Sequence, residues 1–262
     1  MNATPTWLED TRRTLSEEGR ELLLSRRGEP LFLAGWLRTL FMHFEVPAER
    51  LQKDVPFELD LYEGKAYVSL VAFTMRDMRF RRGGAMLSWL TKPIATHEFL
   101  NVRTYVKNGS DRGIYFLTEW LSNWLSVQLG PLLYGLPYHY AKIDYRHEHE
   151  SGQLSGQVRA GITGRCFEYV ADCEADAFGP CERGSLDEFL VERYTAYTAC
   201  GPAKRFFRIW HPPWPQVKVE VMIRKGSLMW NRWPWFAGAR LVGANYSPGF
   251  DEVWMGRAQR IK

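Results

Sequence analysis

The chain has 262 residues, of which 45% are hydrophobic and 24% are charged, and this balance excludes a disordered or fibrous protein. Its formal charge of +4 comes from 34 basic and 30 acidic residues, a bias too small to predict a nucleic-acid partner. Aromatic residues make up 15% of the chain, a share that is typical of sheet-lined cores and of ligand pockets.

The first 27 residues carry Glu and Arg throughout and lack the apolar stretch of a secretory signal. The longest apolar run, Leu31–Phe44, contains Arg38 and is shorter than the ~20 residues of a transmembrane helix. We therefore expect a cytoplasmic protein without membrane insertion. Irregularly spaced cysteines indicate reduced thiols and no metal or other cofactor. These cysteines are Cys166, Cys173, Cys181 and Cys200.

An amphipathic helix is predicted at the N-terminus. Thr6 and Glu9 form a capping-box pattern, and apolar residues recur at helical spacing until Gly28 and Pro30. Its polar face mixes Glu and Arg, so we interpret it as a helix packed on the body of the protein; a helix that docks on a partner or a membrane surface is the alternative. The expected organisation is this helix over residues 1–30 and one domain over residues 31–262.

From residue 31 onward the apolar period shortens towards two, which predicts strands. A helical turn is expected at Pro47–Gln52 and a tight turn at Asn108–Asp111. The strands of this half are predicted at Leu31–Phe44, Phe57–Tyr62, Lys65–Phe80, Phe99–Lys107 and Gly113–Trp120.

The second half begins with a short helix at Ser122–Leu133 and continues as a meander. Ser185 and Glu188 form a capping box that predicts a helix through about Ala199. The meander strands are predicted at Tyr138–His147, Gln153–Ala160 and Thr163–Asp172, and later strand-like segments at Phe206–His211, Gln216–Arg224 and Glu252–Arg257. The expected fold class is α+β, dominated by antiparallel strands that curl into a barrel or cone.

Several common catalytic motifs are absent, among them those of nucleotide-binding loops, serine hydrolases and zinc proteases. His147-Glu148-His149 places two imidazoles at strand spacing, where they would face one side and could share a metal ion. Because the segment continues into polar Glu150-Ser151-Gly152, we interpret it as a solvent-facing hairpin end.

Arg103 lies at the centre of a strand of Val, Thr and Tyr residues and shares a face with Asn101 and Tyr105. A guanidinium in that position needs a carboxylate, because an unpaired buried charge is costly. The carboxylate comes either from a ligand, which the guanidinium fork would bind bidentately, or from a structural pair with Glu119 or Glu192. We predict that Arg103 anchors an anion in a pocket and keep the structural pair as the alternative.

Two other segments offer chemistry. His211 lies between Trp210 and a Pro-Pro-Trp-Pro run, so it is either a positioned acid or base or a packed histidine bonded to a carbonyl. In the segment Gly135–Lys142, Tyr138 and Lys142 share a strand face. Lys142 is either a Schiff-base lysine in a dry pocket or an ordinary exposed lysine.

Seven segments over about residues 31–255 carry a family resemblance when they are taken in order. They are Trp36 with His43–Pro47, Leu59–Leu70, Asn101–Val106, Gly113–Phe116, Gly135–Ala141, Phe189–Tyr194 and His211–Trp214. Together they resemble the YqjF-like family of uncharacterised bacterial proteins, related to the acetoacetate decarboxylase fold. The resemblance implies a cone-like β-barrel with an internal pocket.

The chain departs from acetoacetate decarboxylases at the position that matters most for their reaction. Their segment equivalent to Gly135–Ala141 carries Pro-Lys-Lys, and its first lysine forms the Schiff base. Here the same positions read Pro137-Tyr138-His139, and Lys142 lies roughly 13 Å further along the strand. The resemblance therefore implies the fold and the pocket, but not decarboxylation through an imine.

We therefore predict an internal pocket for a small anionic or carbonyl-bearing organic molecule, and leave open an activity that needs no Schiff-base lysine. The alternative is a non-catalytic interaction protein on the same fold that uses the aromatic segment Trp230–Phe236 as its contact surface. A homo-oligomer is left open. The candidate catalytic residues are Tyr138 and His139, of which one alone can face inward, and the candidate ligand-binding residues are Arg103, Tyr105, Glu119, Arg193 and His211.

Overall fold

The computed structural model describes residues 13–83, 89–161, 164–174 and 177–261, and strands form most of its regular structure. The described helices are short: α1 (Leu15–Leu24), α2 (Ala48–Leu51), α3 (Trp124–Tyr134), α4 (Leu186–Val191) and α5 (Ser227–Trp230). Within those ranges, no helix combines the length and the apolar character that crossing a membrane requires. The predicted α+β class with mainly antiparallel strands is confirmed.

The strands of the first half agree with the predicted segments, except that β2 is much shorter than Phe57–Tyr62. They are β1 (Phe32–Val46), β2 (Glu58–Leu59), β3 (Ala66–Phe80), β4 (His97–Asn108) and β5 (Asp111–Leu121). The remaining strands are β6 (Tyr138–Tyr140), β7 (Lys142–Glu148), β8 (Gln153–Ala160), β9 (Arg165–Asp172), β10 (Thr195–Cys200), β11 (Ala203–Trp210), β12 (Val217–Lys218), β13 (Glu220–Lys225), β14 (Arg240–Met255) and β15 (Gln259–Arg260).

The larger sheet has the hydrogen-bonded order β12-β14-β1-β3-β4-β5-β10-β11-β15, with β2 added to β4 and β6 added to β5. Strand β11 also pairs with β14, so the strands from β14 through β5 to β11 form a closed ring. Neighbours in this sheet run antiparallel, except that β5 is parallel to both β6 and β10.

The smaller sheet has the order β13-β9-β8-β7, and its strands β7, β8 and β9 are the predicted meander. The predicted strand Tyr138–His147 is divided at Ala141, whose backbone N–H donates to the carbonyl of Leu121. Tyr138 therefore belongs to the larger sheet and Lys142 to the smaller one. Thr163, the predicted start of the third meander strand, lies outside the described residues.

Strand alternation divides the core into two apolar clusters. On β4, Leu100 and Val102 face a cluster that includes Val158 and Phe167 of the smaller sheet. Phe99 and Tyr105 face a second cluster, to which every strand of the ring contributes. This second cluster, in the interior of the ring, surrounds the candidate site.

The N-terminal helix α1 packs on strand β11 of the ring. Its capping box consists of Thr14 and Glu17, whereas the predicted pair, Thr6 and Glu9, lies outside the described residues. The hydroxyl of Ser16 donates to the carbonyl of His211, and Leu23 is fully buried.

The predicted helix from Ser185 to Ala199 is wrong in its second half. Ser185 caps the helix by accepting from the backbone N–H of Glu188, but α4 ends at Val191. Residues Thr195–Cys200 form β10, which lies between β5 and β11. Their β-branched and aromatic side chains suit a strand, and the two flanking strands supply the hydrogen bonds that a helix would otherwise provide.

Strand β14 was predicted at its C-terminal end alone, within Glu252–Arg257, because the proline and glycines of its earlier part indicated a loop. It is 16 residues long and pairs with β1 along most of its length. Gly249 has φ +95°, and a Cβ there would lie 1.9 Å from the carbonyl oxygen of Trp36. The glycine therefore permits a close approach of two backbones within a strand, where its local signal resembles that of a turn.

Candidate functional site

A cavity of about 120 Å³ lies in the interior of the ring, under helix α3. Asn123 begins this helix by accepting from the backbone N–H of Ser126, and Gly135 ends it in the left-handed conformation. A Cβ at Gly130 would lie 2.2 Å from the ring of Tyr138, so this glycine lets the helix pack directly on that ring. The walls are mainly aromatic and aliphatic: Phe32, Trp36, Phe73, Met75, Phe99, Phe116, Leu136, Phe207 and Ile209.

Polar residues enter this apolar cavity in one row across three neighbouring strands. Asn101 of β4 is opposite Glu119 of β5, and Glu119 is opposite Tyr138 of β6. Residues paired in register point to the same face of a sheet, so the three side chains project together into the cavity. His97, at the start of β4, and Ser126 of α3 complete the polar lining.

Several buried polar atoms of the cavity lining have no well-formed hydrogen bond within the described residues. They are Oδ1 of Asn101, Oε2 of Glu119 and both ring nitrogens of His97. A buried polar atom without a partner costs about 1–3 kcal/mol, so such atoms are uncommon in folded proteins. Their concentration at one apolar cavity is typical of a place where a ligand supplies the missing partners.

Burial shifts the titratable groups of the cavity towards their uncharged forms. Desolvation raises the pKa of Glu119 well above its usual value, and the nearby positive charge of Arg103 opposes that shift only in part. Desolvation also raises the pKa of Tyr138, with a further contribution from Glu119. The pKa of His97 is lowered by burial to about 4, although the backbone of Ile94 opposes the change. The cavity thus offers a protonated carboxyl and a phenol as donors, and an amide oxygen as an acceptor.

Arg103 lies on the predicted face of β4, between Asn101 and Tyr105, but it does not line the cavity. Its Nη2 donates to the carbonyl of Leu190 at 3.0 Å, its guanidinium lies 5.4 Å from the ring of Phe41, and its Nε has no partner among the described residues. The predicted structural pair with Glu119 or Glu192 does not form within the described part of the chain. The Glu192 carboxylate instead accepts from the backbone N–H of Trp214 and from Tyr194.

Tyr105 belongs to a buried hydrogen-bonded network rather than to the cavity lining. Its hydroxyl lies 2.8 Å from the carbonyl oxygen of Leu190 and 2.5 Å from Oγ of Ser69. Ser69 Oγ lies 2.7 Å from Nδ1 of His43, whose Nε2 lies 3.0 Å from Oδ1 of Asn245. Burial lowers the pKa of His43 to about 3, so this imidazole is neutral.

Arg193 lies on the other side of Tyr105, also outside the cavity. Its Nη1 donates to Asp60 at 2.8 Å, its Nε donates to the carbonyl of Phe189, and its guanidinium lies 4.1 Å from the ring of Phe189. Burial lowers its pKa to about 10, and the carboxylate of Asp60 opposes that shift. Asp60 also accepts from the more exposed Arg112.

The two candidate histidines lie apart from the cavity. His211 is buried, its Nδ1 donates to the carbonyl of Pro212 at 2.7 Å, and its ring stacks at 5.5 Å from Phe250. This geometry matches the packed-histidine alternative, and burial lowers its pKa to about 4. His139 lies on the opposite face of β6 from Tyr138, where its Nε2 accepts from Arg232.

The two remaining chemical candidates of the sequence are also placed elsewhere. His147 forms hydrogen bonds with the carbonyl of Arg38 and with Tyr169, and His149 forms one with Tyr246. The two imidazoles therefore do not point to a shared metal position. The described residues include no cluster of metal-ligating side chains. Lys142 is exposed on β7, and no described residue of the cavity lining is a lysine.

Most aromatic side chains of the predicted contact surface Trp230–Phe236 belong to the core. Trp233, Trp235 and Phe236 are buried and Trp230 is half exposed, whereas Asn231, Arg232 and Pro234 are exposed. Conversely, our sequence interpretation missed His97 and Ser126 as cavity residues. Alternation along β4 already places His97 on the face of Asn101 and Arg103, so the parity of the strand was the available signal.

Comparisons with known proteins relate this chain to one family and one fold. The family model DUF2071, described as an uncharacterized conserved protein (COG2071), matches residues 33–234. The uncharacterized protein YqjF of Bacillus subtilis (strain 168) is 31% identical over 190 residues, which cover 72% of this chain and 76% of YqjF.

Two solved structures extend the relationship to the fold. An acetoacetate decarboxylase-like enzyme from Sphingomonas wittichii RW1 superimposes with a TM-score of 0.60 at 16% identity, covering 89% of this chain and 94% of that chain. The enduracididine biosynthesis enzyme MppR, complexed with the condensation product of pyruvate and imidazole 4-carboxaldehyde, gives 0.61 at 11% identity over 88% and 89% of the two chains. At these identities the similarity shows the fold.

Proposed function

The chain belongs to the DUF2071 family and has an acetoacetate decarboxylase-like fold. We propose that it binds a small, uncharged, carbonyl-bearing molecule in the cavity under α3. One observation carries the proposal. Buried polar atoms of Asn101 and Glu119 without a partner among the described residues converge on a cavity with otherwise apolar walls. A ligand carbonyl oxygen would accept from the protonated Glu119 carboxyl, and the Asn101 side-chain oxygen, itself an acceptor, would be satisfied by a donor group on the same ligand.

The charge state of the cavity favours an uncharged ligand over a carboxylate. Burial raises the pKa values of Glu119 and Tyr138 and lowers that of His97, so all three shift towards their uncharged forms. Arg103, the nearby buried cation, is directed to the carbonyl of Leu190. A ligand anion would therefore lose its hydration without meeting a cation that lines the cavity.

The size of the cavity sets the size of the ligand. A volume of about 120 Å³ is close to that of an engineered cavity of ~150 Å³ that accommodates benzene. We therefore expect a molecule such as a cyclic or short-chain ketone. Its carbonyl oxygen would accept from the protonated carboxyl of Glu119 or from the phenol of Tyr138, and its carbon skeleton would contact the aromatic walls.

Binding is expected to be non-covalent, because the sequence resemblance implies that Tyr138 stands where the decarboxylases carry their Schiff-base lysine. Borohydride reduction in the presence of acetoacetate should therefore leave the mass of the protein unchanged, since a phenol forms no imine. A stoichiometric reduced adduct on Lys142 or another lysine, found by mass spectrometry, would contradict this expectation.

A thermal-shift titration tests the binding proposal. Cyclohexanone or butanone should raise the melting temperature of the wild type, because a ligand that binds the folded state alone stabilises it. Ser126→Phe places a ring in the cavity and should abolish the shift. Gln128→Phe adds the same ring to the exposed side of the same helix and should retain it. Stabilisation by acetate or propionate, with no response to ketones, would instead support an anionic ligand.

The raised pKa of Glu119 also favours a second function, proton transfer to a bound carbonyl. In keto–enol exchange the Glu119 carboxyl would give a proton to the carbonyl oxygen while neutral His97 accepts one from the adjacent carbon. Exchange of the α-hydrogens of butanone in D₂O, followed by NMR, should then be faster with the wild type than with Glu119→Gln or His97→Gln. Equal rates in all three would limit the protein to binding.

A further inference from the structure

The smaller sheet ends at β7 in an edge that is unpaired on one side. Strand β7 pairs with β8 over Lys142–Glu148. Among the residues that the structure describes, no backbone hydrogen bond joins the other side of β7 to a further strand. An unpaired edge presents a row of free N–H and C=O groups, which a strand of another molecule can extend.

The exposed side chains of β7 alternate in charge along the strand. Lys142, Asp144, Arg146 and Glu148 all point to solvent, because strand alternation places them on the face away from the core. None of the ion pairs between described residues uses any of these four side chains. Their charges are therefore available to a partner.

This order of charges is complementary to itself when the strand is reversed. In an antiparallel pair of two β7 strands centred on Tyr145, Lys142 lies opposite Glu148 of the second copy. Asp144 in the same way lies opposite Arg146 of the second copy. Every facing pair then has opposite signs, and the two-fold axis repeats each pair once.

The side chains on the buried face of β7 also favour a pair centred on Tyr145. Ile143 and Tyr145 pack partly buried against the core between the sheets. In a pair centred on Tyr145, the two Tyr145 rings lie opposite each other and Ile143 lies diagonal to the Tyr145 of the second copy. Apolar contact and charge pairing therefore select one register.

We infer that β7 pairs with the β7 strand of a second copy of this chain, antiparallel and centred on Tyr145, and joins two four-stranded sheets into one of eight strands. The other edge of the sheet, β13, has a register irregularity between Ile223 and Lys225. Such an irregularity disrupts an edge and disfavours further pairing. Isolated edge charges commonly prevent edge-to-edge contact, but this alternating order removes the repulsion for one partner, the same strand reversed.

Charge reversal tests the register directly, by sedimentation velocity on the full chain over a range of protein concentrations. The wild type should dimerise. Asp144→Arg and Arg146→Asp should each be monomeric, because each places two like charges opposite each other at two symmetric positions. An equimolar mixture of the two variants should restore dimers, since the introduced arginine at position 144 faces the introduced aspartate at position 146.

The control is Glu220→Arg on β13, a reversal at the other edge of the same sheet, which should leave the dimer intact. Circular dichroism of each variant establishes that it is folded. A wild type that stays monomeric at all concentrations would overturn the inference. A dimer that survives both single reversals would also overturn it, because another surface would then hold the two copies together.

Discussion

Two groups of buried polar side chains lie on one face of β4, and they differ in how completely their hydrogen bonds are formed. The first, the paired cluster, comprises His43, Ser69, Tyr105 and the Arg193–Asp60 ion pair. Every side chain in it has at least one well-formed hydrogen bond, although Nη2 of Arg193 has no partner among the described residues. In the second, the cavity row of Asn101, Glu119 and Tyr138, no side chain forms a hydrogen bond with another described residue.

The difference separates scaffold from candidate site. Inside a protein the weak dielectric screening strengthens hydrogen bonds and also raises the free energy of an unpaired polar atom. The paired cluster therefore connects β1, β3, β4 and the segment after α4 into a rigid unit. The cavity row keeps polar atoms unpaired at a fixed place, which stabilises the protein only when another molecule supplies the partners.

Of the substitutions that compare the two groups, removal of Asp60 should lower the free energy of unfolding most. Asp60→Leu leaves the Arg193 guanidinium buried without its carboxylate, and we expect a loss of about 3–5 kcal/mol in the free energy of unfolding. The control is Arg112→Gln, which removes the exposed partner of the same carboxylate and should change the stability by less than about 1 kcal/mol. Urea denaturation measures both. Similar losses in the two variants would mean that the paired cluster is not held by its buried pair.

Glu119 should give the cavity row a characteristic dependence on pH. Its pKa is raised in the folded state, so the stability linked to its protonation is complete below its unfolded pKa of about 4.5 and is lost as the pH rises towards the folded value. Glu119→Gln removes this loss. We expect the variant to gain stability relative to the wild type above pH 4.5, by about 1.4 kcal/mol per pH unit until the folded pKa is reached.

The measurement is urea denaturation of both proteins from pH 4.5 to 8. A difference that stays constant over this range would show that the Glu119 carboxyl is not desolvated. The same series for Glu182→Gln, at an exposed position, controls for the general change in net charge.

The same substitution, tyrosine to phenylalanine, can be made in each group. We expect the smaller loss of stability in the cavity row. Tyr105→Phe removes a hydroxyl that Ser69 and the Leu190 carbonyl use, and we expect a loss of about 1–3 kcal/mol. Tyr138→Phe removes a hydroxyl that forms no hydrogen bond within the described residues. It should change the stability by less than about 0.5 kcal/mol, while it alters the thermal shift produced by ketones. A larger loss of stability in Tyr138→Phe than in Tyr105→Phe would contradict the assignment of the paired cluster as scaffold and the cavity row as site.

Patterns within single segments of the sequence predicted the strands with a clear period of two and the class of the fold. Alternation along β4 correctly placed Asn101, Arg103 and Tyr105 on one face. These features are local, because the period of a strand records which of its faces is buried. Where glycine and proline permit close backbone approach instead of a turn, as in β14, the same local signal was misleading.

Which polar side chains lie together at the cavity follows from the pairing of the strands and not from the pattern of any one segment. Glu119 lies between Asn101 and Tyr138 because β5 pairs with both β4 and β6, and such pairing depends on contacts between segments distant in sequence. The tertiary structure likewise decided that Arg103 turns to the carbonyl of Leu190, and that the Glu119 carboxyl is buried deeply enough to favour its neutral form. A pattern in one strand shows that a face is covered, but the identity of the covering residues, and hence the charge state of the site, follows only from the assembled sheet.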